Sequence, residues 1–410
     1  MNEKDKRLLD PYRRWLYALD LHPSSGCVAC GNCYGRGPAN WLADEHNTAD
    51  WKCVPFDYYG WRSYSPSGFW ELTTKFYHDQ IEIDNEVATR LFSCAQCGLC
   101  DEICGIVAGE NRLSEIFRVF RAIIYSARGP YTGHKQIIEN IKATGNIFGE
   151  TNSTSIWAEG LDLPFINNEK SNNTCLYVGN EAAYRLKEVP RATAELLMSI
   201  GLKFGIFEKE PNSGYYPEVI GDLDLASHLM RRFKEEIKRN GIKKIIVLGA
   251  QDYHVIKREL GTELNVLHIV EVLAESISSI KNRLKPLKQV ITYHDPCYLA
   301  RHAGSRRPRS MRVINEPRAV LYSIPDVKFK ELPKNKRWTW CVGECGGIKE
   351  AFPDMAKWRA IKLFEEAIGV GAEIIVTASP PEQLHLIETL RDSSKKIQIQ
   401  DISQLLLSLI

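Results

Sequence analysis

Cys94-Ala-Gln-Cys97-Gly-Leu-Cys100-Asp-Glu-Ile-Cys104 places four cysteines in C-x2-C-x2-C-x3-C spacing. That run is the one that holds iron–sulfur clusters. A second run stands upstream, Cys27-Val-Ala-Cys30-Gly-Asn-Cys33. Cys53 follows it after nineteen residues, where a simple two-cluster ferredoxin has about three. Eight of the twelve cysteines therefore belong to two cluster-type motifs. In such a pair the fourth cysteine of each run serves the other cluster. That rule assigns Cys27, Cys30, Cys33 and Cys104 to one [4Fe-4S] cluster, and Cys94, Cys97, Cys100 and Cys53 to the other. A pair of zinc sites is the weaker reading, because zinc knuckles rarely run three cysteines at x2 intervals. The proline that usually follows the fourth cysteine is displaced to Pro55 in one run and replaced by Gly105 in the other.

The surroundings fit an intracellular redox protein. The chain has 410 residues, of which 44% are hydrophobic and 25% charged. That is too long for one core and points to several domains. The formal charge of +2 gives no case for a nucleic-acid partner. Clustered rather than scattered cysteines argue for metal over disulfides. The N-terminus has no apolar signal core. The longest apolar runs, among them Lys244–Gly249, Ile374–Ala378 and Leu405–Ile410, fall far short of the ~20 residues a membrane helix needs. The expectation is a cytoplasmic chain, at most peripheral to a membrane complex.

Residues 1–20 read as a short helix with Leu8, Leu9, Tyr12, Trp15, Leu16 and Leu19 on one side. Four of the nine tryptophans lie between positions 41 and 70. They are either the core of a small domain or a shield that keeps water off a cluster. After Cys104, Leu113, Ile116, Phe117, Phe120, Ile123 and Ile124 recur at helical spacing, with Arg112, Arg118 and Arg121 elsewhere on the wheel. Residues 129–172 read as a connection with a helix from Lys135 to Lys142, closing on the polar Asn167–Thr174.

The remainder contains an internal repeat. Strands are expected at Thr174–Gly179, Leu202–Phe207 and Gly241–Leu248. In the second half they are expected at Val290–Tyr293, Val327–Leu332 and Gly371–Thr377. Helices intervene, opened by Pro190-Arg-Ala192 and by Pro317-Arg-Ala319, triplets 127 residues apart. Strand alternating with helix twice over predicts α/β halves with parallel strands and ligands at the strand C-terminal ends. The fold class is thus α+β and multidomain: a helical ferredoxin-type two-[4Fe-4S] domain over residues 1–150, then pseudo-repeated halves over 171–285 and 286–410.

Two cysteine runs ahead of duplicated α/β halves resemble the D-type subunits of heterodisulfide reductase and related iron–sulfur proteins. The resemblance spans about residues 20–410. Its densest local match is Tyr293-His-Asp-Pro-Cys297-Tyr-Leu-Ala-Arg301, Pro317-Arg318 and Trp340-Cys341-Val-Gly343-Glu-Cys345-Gly-Gly347. In that family each half carries a cysteine after its first strand, a Cys-Cys-Gly and a Cys-Pro-x-Cys, which together hold an unusual cluster that splits a disulfide. Here the first half has Asn180, Tyr215-Tyr216-Pro217 and Gly249-Ala-Gln-Asp252 at those places, so no metal is expected there. Cys175 reads as an ordinary buried thiol. The second half keeps Cys297 and Cys341, gains Cys345, and has Val342 and Ser379-Pro-Pro-Glu382 in place of the rest. These three cysteines are a candidate third metal site, with His294 and Glu382 as candidate fourth ligands. His294 and His302 serve equally well as hydrogen-bonding scaffold.

The resemblance implies an electron-transfer subunit of a heterodisulfide-reductase-like redox complex, relaying electrons through two [4Fe-4S] clusters. Its partners would be other redox subunits: a flavin-containing subunit, a dehydrogenase or a membrane cytochrome. The alternative is a thiol/disulfide or quinone-linked reductase with an active cluster at Cys297, Cys341 and Cys345. No nucleotide fingerprint is present, so no bound flavin or NAD is expected in this chain.

Overall fold

A computed structural model describes residues 7–15, 31, 33, 53–104, 113–166, 173–302 and 312–410. Cys27 and Cys30, and the whole stretch between Cys33 and Cys53, lie outside the described residues. Contacts divide the chain into two units. The first comprises Met1–Ile138, Tyr216–Ala226 and Trp340–Arg359; the second comprises Glu139–Tyr215, Ser227–Thr339 and Ala360–Ile410.

The first unit is helical in its described part. A 3-10 helix, Arg7–Trp15, replaces the start of the expected helix. Pro11 sits inside it and has no N–H to donate. Leu9 is buried and Leu8 is exposed. Cys53 is the cap of helix Val54–Tyr59, and Pro55 falls in its first turn, where a missing N–H costs nothing. Ser65 caps helix Pro66–Tyr77 by accepting from the Gly68 amide at 3.3 Å. Asp84 caps helix Asn85–Phe92 through the Val87 amide at 2.8 Å. Helix Leu113–Arg128 buries its apolar stripe, and its rings meet Phe69 and Phe76 at 5.5 and 5.0 Å. Of the aromatics between positions 53 and 70, Phe69 and Trp70 are core residues, whereas Trp61 is 71% exposed.

One residue departs from the expected wheel. Arg121 is 0% exposed and lies on the buried side of Leu113–Arg128. It follows Phe117 by four residues and precedes Tyr125 by four, so helical geometry puts it beside the apolar stripe. Its charge is accommodated there by backbone carbonyls, as described below.

The second unit holds two four-stranded parallel sheets of identical order, β2-β1-β3-β4 and β6-β5-β7-β8. The first is built from β1 (Thr174–Tyr177), β2 (Gly205–Ile206), β3 (Lys244–Val247) and β4 (Asn265–His268). The second is built from β5 (Val290–Tyr293), β6 (Lys328–Phe329), β7 (Ile374–Thr377) and β8 (Gln398–Asp401). Registers match between the halves: Cys175 pairs with Ile245 across β1 and β3, and Ile291 with Ile374 across β5 and β7. β4 and β8 add a fourth strand to each half beyond the three that the sequence predicts. They are four-residue strands at the ends of their sheets, and Gln398-Ile-Gln-Asp401 is mostly polar. Leu405–Ile410, strand-sized by hydropathy, falls largely in helix Ile402–Ser408, capped by Asp401.

The two halves exchange contacts reciprocally. Helix Ile269–Ile280, the last of the first half, packs on helix Asn315–Tyr322 of the second. Helix Ile402–Ser408, the last of the second half, packs on helix Glu188–Ser199 of the first. Strand order reverses direction between β1 and β3, and again between β5 and β7. In parallel α/β sheets the crevice for ligands opens there, beyond the strand C-terminal ends.

Candidate metal centre

Two loops in the first unit carry thiols, and they touch. The first is the Cys94–Cys104 run. Gln96 and Gly98 both take positive φ, +52 and +71, which turns the chain sharply between Cys94 and helix Leu99–Ile103. The Gln96 amide donates to Cys94 Sγ at 3.4 Å. Asp101 accepts from the Ser114 amide at 3.1 Å and from its hydroxyl, which ties the run to helix Leu113–Arg128.

Burial pushes the Cys53 thiol well above its ordinary pKa, and the charges of Cys94, Cys97 and Cys33 push it further. Burial does the same to Cys100, followed by Asp101, Cys94, Cys97 and Cys33. Cys53, across the long insertion, therefore lies within electrostatic reach of the run, and Cys33 reaches the same group. Cys104 caps the short helix, its amide bonded to the Cys100 carbonyl at 2.9 Å. No disulfide joins any two of the described cysteines. Buried and half-buried thiols that raise one another's pKa are an unfavourable set as thiolates alone. A soft cation relieves that repulsion, because metal coordination deprotonates thiols outright. The donor set fits an iron–sulfur group.

The second loop is Trp340–Gly347. Cys341 and Cys345 face each other with sulfurs 3.6 Å apart. The Gly343 amide donates to Cys341 Sγ at 3.4 Å, as the Gln96 amide does to Cys94. Arg359 donates to the Cys341 carbonyl at 3.1 Å. The buried Glu344 carboxylate accepts from Cys345 Sγ at 3.5 Å. Both thiols of this loop are buried.

Gly346 presses this loop onto the cysteine run. It takes φ +66, and a β-carbon there would stand 2.6 Å from the Ala95 carbonyl oxygen. Only glycine tolerates both conditions. His134 donates from Nε2 to the Gly347 carbonyl at 2.7 Å. Burial lowers its pKa to about 4, so the ring is neutral.

Arg121 joins the two loops. Its guanidinium donates to the carbonyls of Leu91 (3.0 Å), Phe92 (3.0 Å), Val219 (2.8 Å) and Gly346 (2.7 Å), and to that of Cys94. Burial raises the Cys94 thiol pKa, and Arg121 works in the opposite direction.

Residues 291–386 match the family model of the CCG cysteine-rich domain. Over 95% of its length the chain is 28% identical to the D subunit of dihydromethanophenazine:CoB–CoM heterodisulfide reductase from Methanosarcina barkeri, covering 95% of that protein. The D subunit from Methanosarcina mazei is 27% identical over the same shares. The chain is an iron–sulfur protein like the D subunits of heterodisulfide reductase. It is also 26% identical, over 94% of its length, to the B subunit of a CoM/CoB fumarate reductase from Methanothermobacter marburgensis, of which it covers 72%.

Within the second α/β half of this heterodisulfide-reductase-like chain, the structure explains residues whose roles the sequence left open. Cys297 is buried in the second unit, just beyond β5. Asp295, two residues before it, is gripped by Arg318 through both carboxylate oxygens at 2.8 Å. Asp295 also accepts from the Lys336 amide at 2.7 Å. Glu331 grips the other edge of the same guanidinium at 2.6 and 2.9 Å. The Pro-Arg-Ala triplet thus fixes the turn that carries Cys297. In the first half, Arg191 of the matching triplet donates to the Trp157 and Glu159 carbonyls instead.

His294 is committed on both ring nitrogens, Nδ1 to Glu382 at 2.9 Å and Nε2 to Thr339 at 3.2 Å. Glu382 also accepts from the Thr377 hydroxyl at 2.5 Å. These residues scaffold one another, which argues against His294 as a fourth ligand. Glu344, which no sequence pattern marks as a donor, is the carboxylate in contact with a candidate ligand thiol.

Polar bonds fill the strand ends of the α/β halves. Beyond β1, Glu210 accepts from the Val178 and Gly179 amides at 2.8 and 3.0 Å. Asp252 accepts from Ser213 at 2.5 Å. Ser379 accepts from the Ala250 amide and donates to Gln251, both at 3.3 Å. Cys175 is fully buried on β1.

Proposed function

We propose that this chain is an iron–sulfur electron-transfer subunit of a heterodisulfide-reductase-like redox complex, relaying electrons through two [4Fe-4S] clusters. Cys94, Cys97, Cys100 and Cys53 hold one, and Cys27, Cys30, Cys33 and Cys104 hold the other. The observation that carries the reading is the electrostatic grouping of Cys53 with Cys94 and Cys97. Thiols 41 positions or more apart in sequence act on one another in a single group, as a crossed ligand set requires. When bound, the clusters supply one-electron redox chemistry. The chain's own residues position the thiols, exclude water and place the Arg121 charge beside Cys94.

The α/β unit then serves as a docking platform for a flavin-containing subunit, a dehydrogenase or a membrane cytochrome. No helix among the described residues is long and apolar enough to cross a membrane. A cytoplasmic location, with peripheral attachment to a membrane complex through such a partner, is part of the same proposal.

The test is iron and acid-labile sulfide in the chain purified anaerobically. The reading expects about eight irons per chain, and about four fewer in Cys53→Ser. Two zinc ions and no sulfide would overturn it.

The close pair of buried thiols, Cys341 and Cys345, favours a second reading. With Cys297 they would hold a third metal group and make the chain a thiol/disulfide or quinone-linked reductase. About twelve irons per chain, with a signal lost in Cys297→Ser, is its expected result. An EPR signal and activity unchanged by Cys297→Ser would remove it.

A further inference from the structure

Gln96 sits in the tightest part of the cysteine run and carries two unfavourable features. It takes φ +52, a left-handed conformation in which a β-carbon is strained. Its side chain is 3% exposed, and Nε2 has no hydrogen-bond partner among the described residues. A buried amide donor without an acceptor is costly, and such groups are rare in native structures. Glycine at this position would escape both penalties, as Gly98 does two residues later. The side chain is also closely walled: a β-carbon on Gly346 would stand 3.1 Å from Gln96 Cβ.

Strain and an idle donor at one residue indicate an acceptor that the described residues do not themselves supply. Gln96 is flanked by Cys94 and Cys97, and its own backbone amide already donates to Cys94 Sγ. The acceptor chemistry at this spot is sulfur carrying negative charge.

The geometry points to Gln96 as a hydrogen-bond donor to the sulfur of the metal group held by Cys53, Cys94, Cys97 and Cys100, and hence as a residue that sets its potential. This rests on the reading of that cysteine set given under the proposed function. Reduction adds negative charge to the sulfurs, so a donor stabilises the reduced form more than the oxidised form and raises the potential. Gln96 is a positioning residue; it transfers no electron itself.

The test is an EPR-monitored redox titration of the whole, anaerobically loaded chain, alongside its iron content. The signal of interest is the one that Cys94→Ser abolishes. Gln96→Leu keeps the bulk and the strained backbone but removes the donor. It is expected to hold the wild-type amount of iron, with its oxidised-to-reduced ratio at fixed ambient potential raised about threefold to tenfold. Tenfold corresponds to about 59 mV for a one-electron couple. Gln96→Gly removes the donor and relieves the backbone. It should melt no lower than wild type when metal-free, and show the same fall in potential when loaded; it serves if the leucine variant fails to load. An unchanged potential at wild-type iron content, the result expected if the amide merely binds a water, would overturn the inference. Iron content unaffected by Cys94→Ser would instead bring down the reading of the cysteine set on which it rests.

Discussion

Arg121 donates to the carbonyl of Cys94 and, at 2.7 Å, to the carbonyl of Gly346, two residues 252 positions apart in the chain. One guanidinium thus fixes the spacing between the cysteine run and the loop that carries Cys341 and Cys345. Carbonyl dipoles solvate its charge without neutralising it, so the field of the cation reaches the thiols on both sides. Cys341 is itself among the charges felt at Cys94.

Removing that guanidinium leaves several buried carbonyls without donors. Arg121→Met is expected to cost at least about 3 kcal/mol, given about 1–3 kcal/mol for each buried group left unsatisfied. Arg121→Lys restores the charge but not the planar fork, and should recover only part of the loss. Urea denaturation of the whole metal-free chain reads both. A loss below about 1 kcal/mol for the methionine variant would show that the carbonyls find other donors.

Gly346 and Gly241 offer a matched comparison. Both have positive φ, but a β-carbon on Gly241 meets nothing within 4 Å, whereas on Gly346 it strikes the Ala95 carbonyl at 2.6 Å. Gly241→Ala should cost only the left-handed strain, about 1–2 kcal/mol. Gly346→Ala should cost clearly more, because backbone must also move. Equal losses in paired denaturation curves would mean that the contact with the cysteine run is not constrained.

Arg318 holds buried Asp295 in one fork and half-buried Glu331 in another. Burial opposes its charge, but the two carboxylates outweigh that and raise its pKa above the ordinary arginine value. Arg318→Met strands the Asp295 carboxylate and is expected to cost about 3–5 kcal/mol. Combining it with Asp295→Asn should cost less than the sum of the single changes, since the stranded charge is gone. Additivity in the double-mutant cycle would refute the coupling.

Glu210 makes stability depend on pH. Burial raises its pKa to about 8, against the lowering effect of the Val178 and Gly179 amides. The folded chain therefore holds this proton more tightly than the unfolded chain does, whose carboxyl titrates near about 4.3. The contribution is fully present below that value and is lost as pH rises toward 8, by at most about 1.4 kcal/mol per pH unit. Glu210→Gln should flatten the fall in stability between about pH 5 and pH 8. An unaltered slope in denaturation midpoints across that range would contradict it.

Much of the architecture is legible in the sequence because its signals are local. Lys244–Val247 and Ile374–Thr377 are buried apolar runs opened by glycine turns, and they form β3 and β7. Helix Leu113–Arg128 follows its apolar spacing. β4 and β8 are not legible, because short strands at a sheet end carry little pattern of their own. Arg121 defeats the helical wheel for a different reason. Periodicity ranks residues by hydropathy and cannot register that five carbonyls from distant segments surround one buried cation.

The sequence by itself determined the chemistry available: the cysteine runs, the repeated order of strand and helix, and a first half whose one cysteine is Cys175. Those are properties of residue type and spacing. Only the tertiary structure decided which groups meet. It set Cys53 within reach of Cys94 and Cys97, pressed Gly346 onto Ala95, committed both nitrogens of His294 and left Gln96 Nε2 without a partner among the described residues. Such relationships join residues far apart along the chain. Packing and buried hydrogen bonding select them, and no local pattern records the outcome.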